Sequence, residues 1–205
     1  MKSRVAVFVS GGGTNLQAII DASLRGEIPS AEIALVASNK SDAYALERAK
    51  KHGIKAVVCE KLQGEKRMDV ENKLLKAILD ENIDLIVLAG FMMILSENFI
   101  KSFPGKIINV HPSLIPSFCG KGFYGLKVHE AALEKGVKVT GATVHFVNEI
   151  PDGGEIIAQK AVDVLEGDTP EILQKRVMEQ AEWILFPRAV EIVSKSIIKF
   201  KEAIS

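Results

Sequence analysis

The segment "RVAVFVSGGGTNLQAII", from Arg4 to Ile20, decides the fold that this sequence predicts. It begins with a short apolar run, Arg4–Ser10, which is typical of a strand buried on both faces of a sheet. Three glycines follow, and they lead into a segment whose apolar residues recur at helical spacing. Strand, glycine turn and helix in that order are the start of a βαβ unit, so we expect a mostly parallel sheet with helices on both faces.

The rest of the chain repeats this alternation of apolar runs and helical segments. The further predicted strands are Glu32–Ser38, Lys55–Glu60, Ile83–Gly90, Lys106–His111, Lys138–Val147 and Glu155–Val164. The predicted helices are Asn15–Leu24, Asp42–Lys51, Met68–Asn82, Val128–Lys135 and, as a long last helix, about Pro170–Ile198. Pro187 lies inside the last helix and should kink or break it.

The last two strands differ from the others, because polar and apolar residues alternate and only the short loop "EIPDGG" joins them. This pattern predicts an antiparallel hairpin at the sheet edge. The predicted fold class is therefore α/β: a Rossmann-like, mostly parallel seven-stranded sheet with helices on both faces and an antiparallel C-terminal hairpin. Neither a repeat nor a linker interrupts the sequence, so we expect a single domain over residues 1–205.

Charge and cysteine content exclude several classes of function. Lys and Arg together number 26, as do Asp and Glu, so no net field attracts the chain to nucleic acid. The longest uncharged apolar stretch, Leu85–Leu95, is shorter than the roughly 18 residues of a membrane helix. Cys59 and Cys119 lack a metal-ligand spacing. We expect a cytoplasmic protein, a monomer or homodimer, that binds small molecules and neither nucleic acid, membrane nor metal.

The glycine turn "SGGGTNLQAII", Ser10 to Ile20, is the first candidate site. Glycines allow close approach of a ligand, and the free amides of Gly13, Thr14 and Asn15 at a helix start can bind a phosphate. The dinucleotide fingerprint GxGxxG is absent, because its third glycine would fall on Leu16 or Gln17. The alternative is a plain strand-to-helix turn in which Thr14 or Asn15 caps the helix.

The second candidate is "IINVHPSLIP", Ile107 to Pro116. Residues two apart on a strand point to the same side, so Asn109 and His111 project together from the carboxyl end of a parallel strand, where ligands bind in such sheets. A carboxamide and an imidazolium can stabilise an oxyanion, and a His can also carry a proton. Alternatively, Asn109 caps the following loop and His111 satisfies a buried carbonyl.

The third candidate is Asp152, at the tip of the predicted hairpin in "NEIPDGGEII". Asp before Gly is ordinary turn chemistry, but an Asp152 that folded back on His111 would favour the charged imidazolium. His145 points inward from a late strand, as a hydrogen-bonded core residue or a support of the site. His52 and His129 are expected at the surface, and Cys119 has no neighbouring base that would make it a nucleophile.

Five segments, in this order, resemble the folate-dependent phosphoribosylglycinamide formyltransferase family. They are "SGGGTNLQAII", "LAGFMMIL", "NVHPSLIP", "HFVNEIPDGG" and "AEWILFP", and they extend over nearly the whole chain. The resemblance implies the formyltransferase fold. It also implies transfer of the formyl group of 10-formyltetrahydrofolate, the co-substrate, to the amine of glycinamide ribonucleotide in purine biosynthesis, with no metal and no covalent intermediate.

The resemblance further assigns roles to matching positions. The implied catalytic set is Asn109, His111 and Asp152. The implied ribonucleotide contacts are Gly12, Gly13, Thr14, Asn15 and Glu182. The implied folate contacts are Arg67, Met92, Met93, Ile94, Leu95, Asn109, Asn148, Glu149, Ile150, Pro151 and Asp152. The late segment is one residue longer than the family pattern, which leaves Glu179 as the alternative to Glu182, and Trp183 stands where a His is usual.

In the implied mechanism, Asn109 and protonated His111 hold the oxyanion, while Asp152 keeps His111 charged and helps to pass the proton. A formyltetrahydrofolate hydrolase would use the same three residues with water as acceptor, usually with an added N-terminal domain. A non-catalytic module of this fold would bind nucleotide or folate without turnover. A formyltransferase for transfer RNA would need a further C-terminal domain and a basic face.

Overall fold

The computed structural model describes residues 1–204, which form a seven-stranded sheet of order β3-β2-β1-β4-β5-β6-β7. The strands are β1 Ser3–Val9, β2 Ala31–Ser38, β3 Lys55–Val58, β4 Leu85–Leu88, β5 Ile107–His111, β6 Val139–Phe146 and β7 Ile156–Asp163. The pairs among β1 to β5 are parallel, whereas β6 is antiparallel to both β5 and β7. The seven predicted strands and the C-terminal hairpin are therefore confirmed.

Seven α-helices connect or follow the strands in the described part of the chain. They are α1 Thr14–Leu24, α2 Tyr44–Lys51, α3 Arg67–Asp80, α4 Glu97–Lys101, α5 Leu126–Lys135, α6 Pro170–Val177 and α7 Trp183–Ala203. The short α4 was not predicted, because a single helical turn carries too few residues to show a period. Within residues 1–204, no helix combines the length and the apolar character that crossing a membrane requires.

Of the kink or break predicted at Pro187, the break is wrong, because α7 continues through this residue to Ala203. The last helical region is interrupted earlier, by a π-helical turn at Met178–Glu182. A proline deprives the carbonyl four residues before it of a backbone partner. Here that carbonyl belongs to Trp183, the first residue of α7, where the helix geometry is already irregular after the π turn.

The two faces of the sheet carry separate cores. Val5, Val7 and Val9 of β1 point to one face and pack in the cluster that includes α1 and α7. Ala6 and Phe8 point to the other face, where the cluster contains the buried side of α3 and, from α4, Phe99. Ile107 belongs to this second cluster, so the next two side chains on its side of β5, Asn109 and His111, lie on the face of α3 and α4.

Candidate active site

Asn109 and His111 share one face of β5, as the strand period predicts, and the antiparallel β6 adds two further polar side chains to it. The register places His145 opposite Asn109 and Thr143 opposite His111. Asn109 Nδ2 lies 3.2 Å from His145 Nε2, and His145 Nδ1 lies 2.8 Å from the carbonyl oxygen of Phe146. The carbonyl assigns a proton to Nδ1, so in the neutral ring Nε2 accepts from Asn109. His145 therefore supports Asn109, whose second N–H stays available.

Asp152 folds back from the β6–β7 hairpin onto both imidazoles. Its Oδ2 atom lies 3.5 Å from His111 Nδ1, and its Oδ1 atom lies 3.6 Å from His145 Nε2. The amide of Gly120 donates to Oδ2 at 2.8 Å. Burial pushes the pKa of Asp152 upward, the Gly120 amide and the charge of His111 oppose that rise, and the pKa lies below its usual value. Asp152 is thus held as a carboxylate.

His111 is buried between two acceptors. Its Nε2 atom lies 2.8 Å from the carbonyl oxygen of Phe118, in the loop that follows β5, and its Nδ1 atom faces Asp152. A carbonyl and a carboxylate both accept, so each ring nitrogen is placed to donate, which is the arrangement of an imidazolium. The alternative in which His111 satisfies a buried carbonyl is therefore correct for Nε2, and the contact with Asp152 is present as well.

The start of the loop after β5 is fastened by Thr143, the cross-strand neighbour of His111. The Thr143 hydroxyl donates to the Ser113 carbonyl at 2.7 Å and accepts from the Ile115 amide at 3.1 Å. Gln159 of β7 donates to the same hydroxyl oxygen at 2.9 Å and to the Ile115 carbonyl at 3.0 Å. The backbone that leads to the Phe118 carbonyl is thereby fixed to β6 and β7.

The glycine turn ends at Gly13, which precedes α1 in a left-handed conformation with φ of 70°. No side chain caps α1, so the alternative in which Thr14 or Asn15 caps this helix is wrong. Instead, Asn15 Nδ2 donates to Glu182 Oε2 at 2.6 Å. Among the described residues, the amides of Gly12, Gly13 and Thr14 have no acceptor, which leaves them free to bind an anion.

Glu182 and its sequence competitor Glu179 have different surroundings. Glu182 is 6% exposed, and burial raises the pKa of its carboxyl group while the bond from Asn15 opposes that rise. Glu179 is exposed and lies 3.9 Å from Lys175 at the surface. A π-helical turn spans Met178–Glu182, and such a turn takes up one residue more than an α turn. The geometry therefore brings Glu182, and not Glu179, to the glycine turn.

Four of the residues that the resemblance implies as folate contacts, Met92 to Leu95, lie in the segment after β4. Met92 and Ile94 are exposed, Met93 is half-buried, and Leu95 is buried. The Met92 amide donates to Ser10 Oγ at 2.8 Å, and Ser10 Oγ donates to Asn39 Oδ1 at 2.6 Å. These bonds connect the loop after β4 to the loop after β1 at the carboxyl edge of the sheet.

Arg67 begins α3 and is linked to the same loop through Glu71. Arg67 Nε lies 3.7 Å from the Glu71 carboxylate, which is buried and accepts from both the amide and the hydroxyl of Ser96 at 2.6 Å. Sequence reasoning missed Glu71. A Glu on the apolar side of a predicted helix, between Val70 and Leu74, was the available signal.

The hairpin loop from Asn148 to Asp152 is closed by its own hydrogen bonds. Asn148 Oδ1 accepts from the Ile150 amide at 3.0 Å, and Asn148 Nδ2 donates to the Gly153 carbonyl at 3.1 Å. Glu149, Ile150 and Pro151 are exposed. A Cβ atom on Gly154 would lie 1.7 Å from the Phe146 carbonyl oxygen, so only glycine fits at the base of this loop.

His129 is fully buried, contrary to the prediction that it lies at the surface. Val128, His129 and Ala132 form the buried side of α5, so the first turn of this helix packs inward. Burial, and secondly the charge of His111, lower the pKa of His129 to about 4. Neither ring nitrogen has a hydrogen-bond partner among the described residues. His52 is exposed, as expected.

Two backbone groups at the centre of the site were also not foreseen, the Phe118 carbonyl and the Gly120 amide. The only signal was the glycine-rich composition of "SFCGKGFYG" directly after the His111 segment. Cys119, which lies between them, donates to the Pro116 carbonyl, and burial followed by the charge of Asp152 raises the pKa of its thiol. The thiol is thus not activated as a nucleophile.

Among residues 1–204, neither a metal-binding cluster nor the cavity of about 520 Å³ coincides with the site. In the part of the chain that the structure describes, no three His, Cys, Asp or Glu side chains are grouped as a metal ion would require. A cavity of about 520 Å³ lies at the amino-terminal ends of β1 and β4, lined by Arg4, Asp84 and Lys201 among others. It contains none of the candidate residues, which lie at the carboxyl edge where parallel sheets bind ligands.

Comparisons with known proteins show what the chain is similar to. The formyl transferase family matches residues 3–190. Phosphoribosylglycinamide formyltransferase of Haemophilus influenzae is 40% identical over 199 residues, 97% of this chain and 91% of that protein. Trifunctional purine biosynthetic protein adenosine-3 of Gallus gallus is 45% identical over 202 residues, 98% of this chain but 19% of that protein. The crystal structure of glycinamide ribonucleotide transformylase 1 from Symbiobacterium toebii aligns with a TM-score of 0.88 and 40% identity, over 95% of this chain and 89% of that one.

Proposed function

The chain belongs to the phosphoribosylglycinamide formyltransferases of the formyl transferase family, and from this premise we propose how its residues carry out the reaction. The enzyme transfers a formyl group from 10-formyltetrahydrofolate to the amine of glycinamide ribonucleotide, in purine biosynthesis, and does so as a single domain. The single observation that carries the mechanism is the contact of 3.5 Å between Asp152 and His111, beside Asn109 on β5. Each residue role below is part of this proposal.

Asn109 and His111 stabilise the negative charge that develops on the formyl oxygen. The amine nitrogen attacks the formyl carbon and a C–N bond forms, while the carbonyl π electrons move to oxygen. Asn109 has one N–H that is not used by His145, and the His111 Nδ1–H has only a long contact of 3.5 Å to Asp152. Both groups can therefore donate to an oxyanion without first breaking a short hydrogen bond.

Asp152 has two tasks in this mechanism. Its negative charge stabilises protonated His111 together with the Phe118 carbonyl. It also accepts the proton that the attacking nitrogen loses, through water, and the leaving nitrogen of the folate takes up a proton when the C–N bond to it breaks. The lowered pKa of Asp152 keeps the carboxylate ionised for both tasks.

The ribonucleotide is bound by the turn between β1 and α1. The free amides of Gly12, Gly13 and Thr14, together with the Asn15 amide in the first turn of α1, bind its phosphate, as helix N-termini bind anions generally. Glu182 uses one carboxylate oxygen for Asn15, and its other oxygen accepts from the glycinamide end of the substrate. A buried carboxylate beside a carboxamide suits a cationic or hydrogen-bond-donating amine.

The folate is bound by the loops after β4 and β6. Met92, Ile94 and Ile150 have exposed apolar side chains, which suit the two faces of a flat ring. Without a bound ring these side chains face water. Backbone groups of Met93 and Leu95, and of Asn148, Glu149 and Pro151, supply polar contacts at the ring edge. Arg67 is half-exposed and contacts the carboxylates of the folate tail.

One assay tests this proposal against its nearest rival. The loss of 10-formyltetrahydrofolate is followed spectroscopically with and without glycinamide ribonucleotide. We expect turnover to depend on the ribonucleotide. Equal loss in its absence would instead identify a hydrolase, and tight binding of both ligands without any turnover would identify a non-catalytic module.

A further inference from the structure

The back of the glycine turn is held by α2 through two successive carbonyl groups. The Ala45 amide, at the start of α2, donates to the Gly11 carbonyl at 3.1 Å. One turn further along α2, Arg48 Nε donates to the Gly12 carbonyl at 2.7 Å. The turn also packs closely on this helix, because a Cβ atom on Gly13 would lie 2.6 Å from the Ala45 Cβ atom.

These two bonds set the direction of the amide groups that follow. In a trans peptide the C=O and the next N–H point in opposite directions. Because the carbonyls of Gly11 and Gly12 point toward α2, the N–H groups of Gly12 and Gly13 point away from it. Gly13 is left-handed, and successive amides around such a residue form a concave anion site. Its own carbonyl accepts from the Gln17 amide, the first bond of α1.

Arg48 is itself held in one orientation. Its Nη1 atom donates to Gln17 Oε1 at 3.0 Å, and its guanidinium carbon lies 5.1 Å from the centre of the Tyr44 ring. A cation over an aromatic face is attracted to it, and the planar guanidinium allows two hydrogen bonds in a fixed geometry. Arg48 thus joins α2 and α1 through the carbonyl between them.

We propose that Arg48 is a positioning residue for the phosphate of the substrate: by binding the Gly12 carbonyl, it orients the Gly12–Gly13 peptide so that the Gly13 N–H faces the phosphate. Arg48 acts through this peptide and does not need to contact the substrate. The inference rests on the proposed function, because it takes the phosphate of glycinamide ribonucleotide as the anion that the turn binds.

Three substitutions separate the hydrogen bond from the charge. Arg48→Met removes both. Arg48→Gln removes the charge but keeps an N–H donor at the same distance along the side chain as Arg Nε. Lys50→Met removes an equal charge from the exposed side of the same helix and is the matched control.

Steady-state kinetics with both substrates give the readout. Arg48→Met should raise KM for the ribonucleotide about tenfold, the effect of losing one well-placed hydrogen bond, and leave kcat and the folate KM within about twofold. Arg48→Gln should stay within about threefold of the wild type, and Lys50→Met within about twofold. Thermal unfolding of each variant, followed by circular dichroism, reports whether the fold is intact.

Two results would overturn the positioning role. If Arg48→Gln is as impaired as Arg48→Met, charge attraction and not orientation explains the effect. If Arg48→Met lowers both kcat and the unfolding temperature and raises the KM values of both substrates, Arg48 has only a general structural role. The proposed function fails separately, since it requires ribonucleotide-dependent turnover by the wild type, which is measured first.

Discussion

The Asp152 carboxylate lies 3.5 Å from Nδ1 of His111, and the same Oδ2 atom accepts a bond of 2.8 Å from the Gly120 amide. One oxygen atom therefore joins the end of β5, the loop after it and the β6–β7 hairpin. Since the Phe118 carbonyl binds the other side of the imidazole, the two loops enclose His111 between two acceptors. The orientation of the His111 ring is thereby coupled to the placement of both loops.

Asp152→Asn should lower kcat by roughly a hundredfold or more, because the amide keeps the size of the side chain but cannot stabilise the imidazolium or accept the proton. The KM values should change much less, since the bond to Gly120 can persist. Steady-state kinetics at neutral pH check this. Glu155→Gln, which neutralises an exposed carboxylate just beyond the same loop, is the control and should retain wild-type kcat.

Asn109→Ala should lower kcat on the order of a hundredfold to a thousandfold, as removal of one oxyanion donor does in other acyl transfers. The reason is that Asn109 is fixed by His145 and therefore donates without reorganisation. Asn98→Ala, on the exposed side of α4, is the control. A kcat within about threefold of the wild type would remove Asn109 from the oxyanion site.

Sequence reasoning reached the strands and the Asn109–His111 pair because both depend on local periods. An apolar run bounded by glycine indicates a buried strand, and a period of two places residues 109 and 111 on one side. The position of His145 beside Asn109 depends on the register of β6, which only long-range pairing decides. The Phe118 carbonyl and the Gly120 amide are backbone groups, so the residue types at these positions do not indicate their role.

The wrong predictions have physical causes as well. His129 lies in the first turn of α5, which packs inward, and the direction of a short helix depends on what it packs against. Pro187 does not break α7, because the irregular turn lies before it. The same turn ends at Glu182, which accepts from Asn15, whereas Glu179 lies at the surface.

His129 should make the enzyme less stable as the pH falls from 6.5 to about 4. In this window the unfolded imidazole binds a proton and the buried one does not, so the unfolding free energy decreases as the pH is lowered. Between pH 6.5 and about 4, the free energy of unfolding of the wild type should fall by roughly 3 kcal/mol more than that of His129→Leu. Urea denaturation at several pH values measures this, with His52→Leu as the control for loss of one imidazole. Parallel pH profiles for the wild type and His129→Leu would contradict the prediction.

Glu182→Gln should weaken use of the ribonucleotide, whereas Glu179→Gln should not. The buried Glu182 carboxyl group accepts from Asn15, beside the free amides of the glycine turn, while Glu179 lies at the surface near Lys175. Loss of a charge-assisted hydrogen bond corresponds to about a tenfold to hundredfold decrease in kcat/KM for the ribonucleotide. Steady-state kinetics at saturating folate compare the two variants, which differ only in the position of one neutralised carboxylate. A larger decrease in kcat/KM for Glu179→Gln would show that Glu179, and not Glu182, contacts the ribonucleotide.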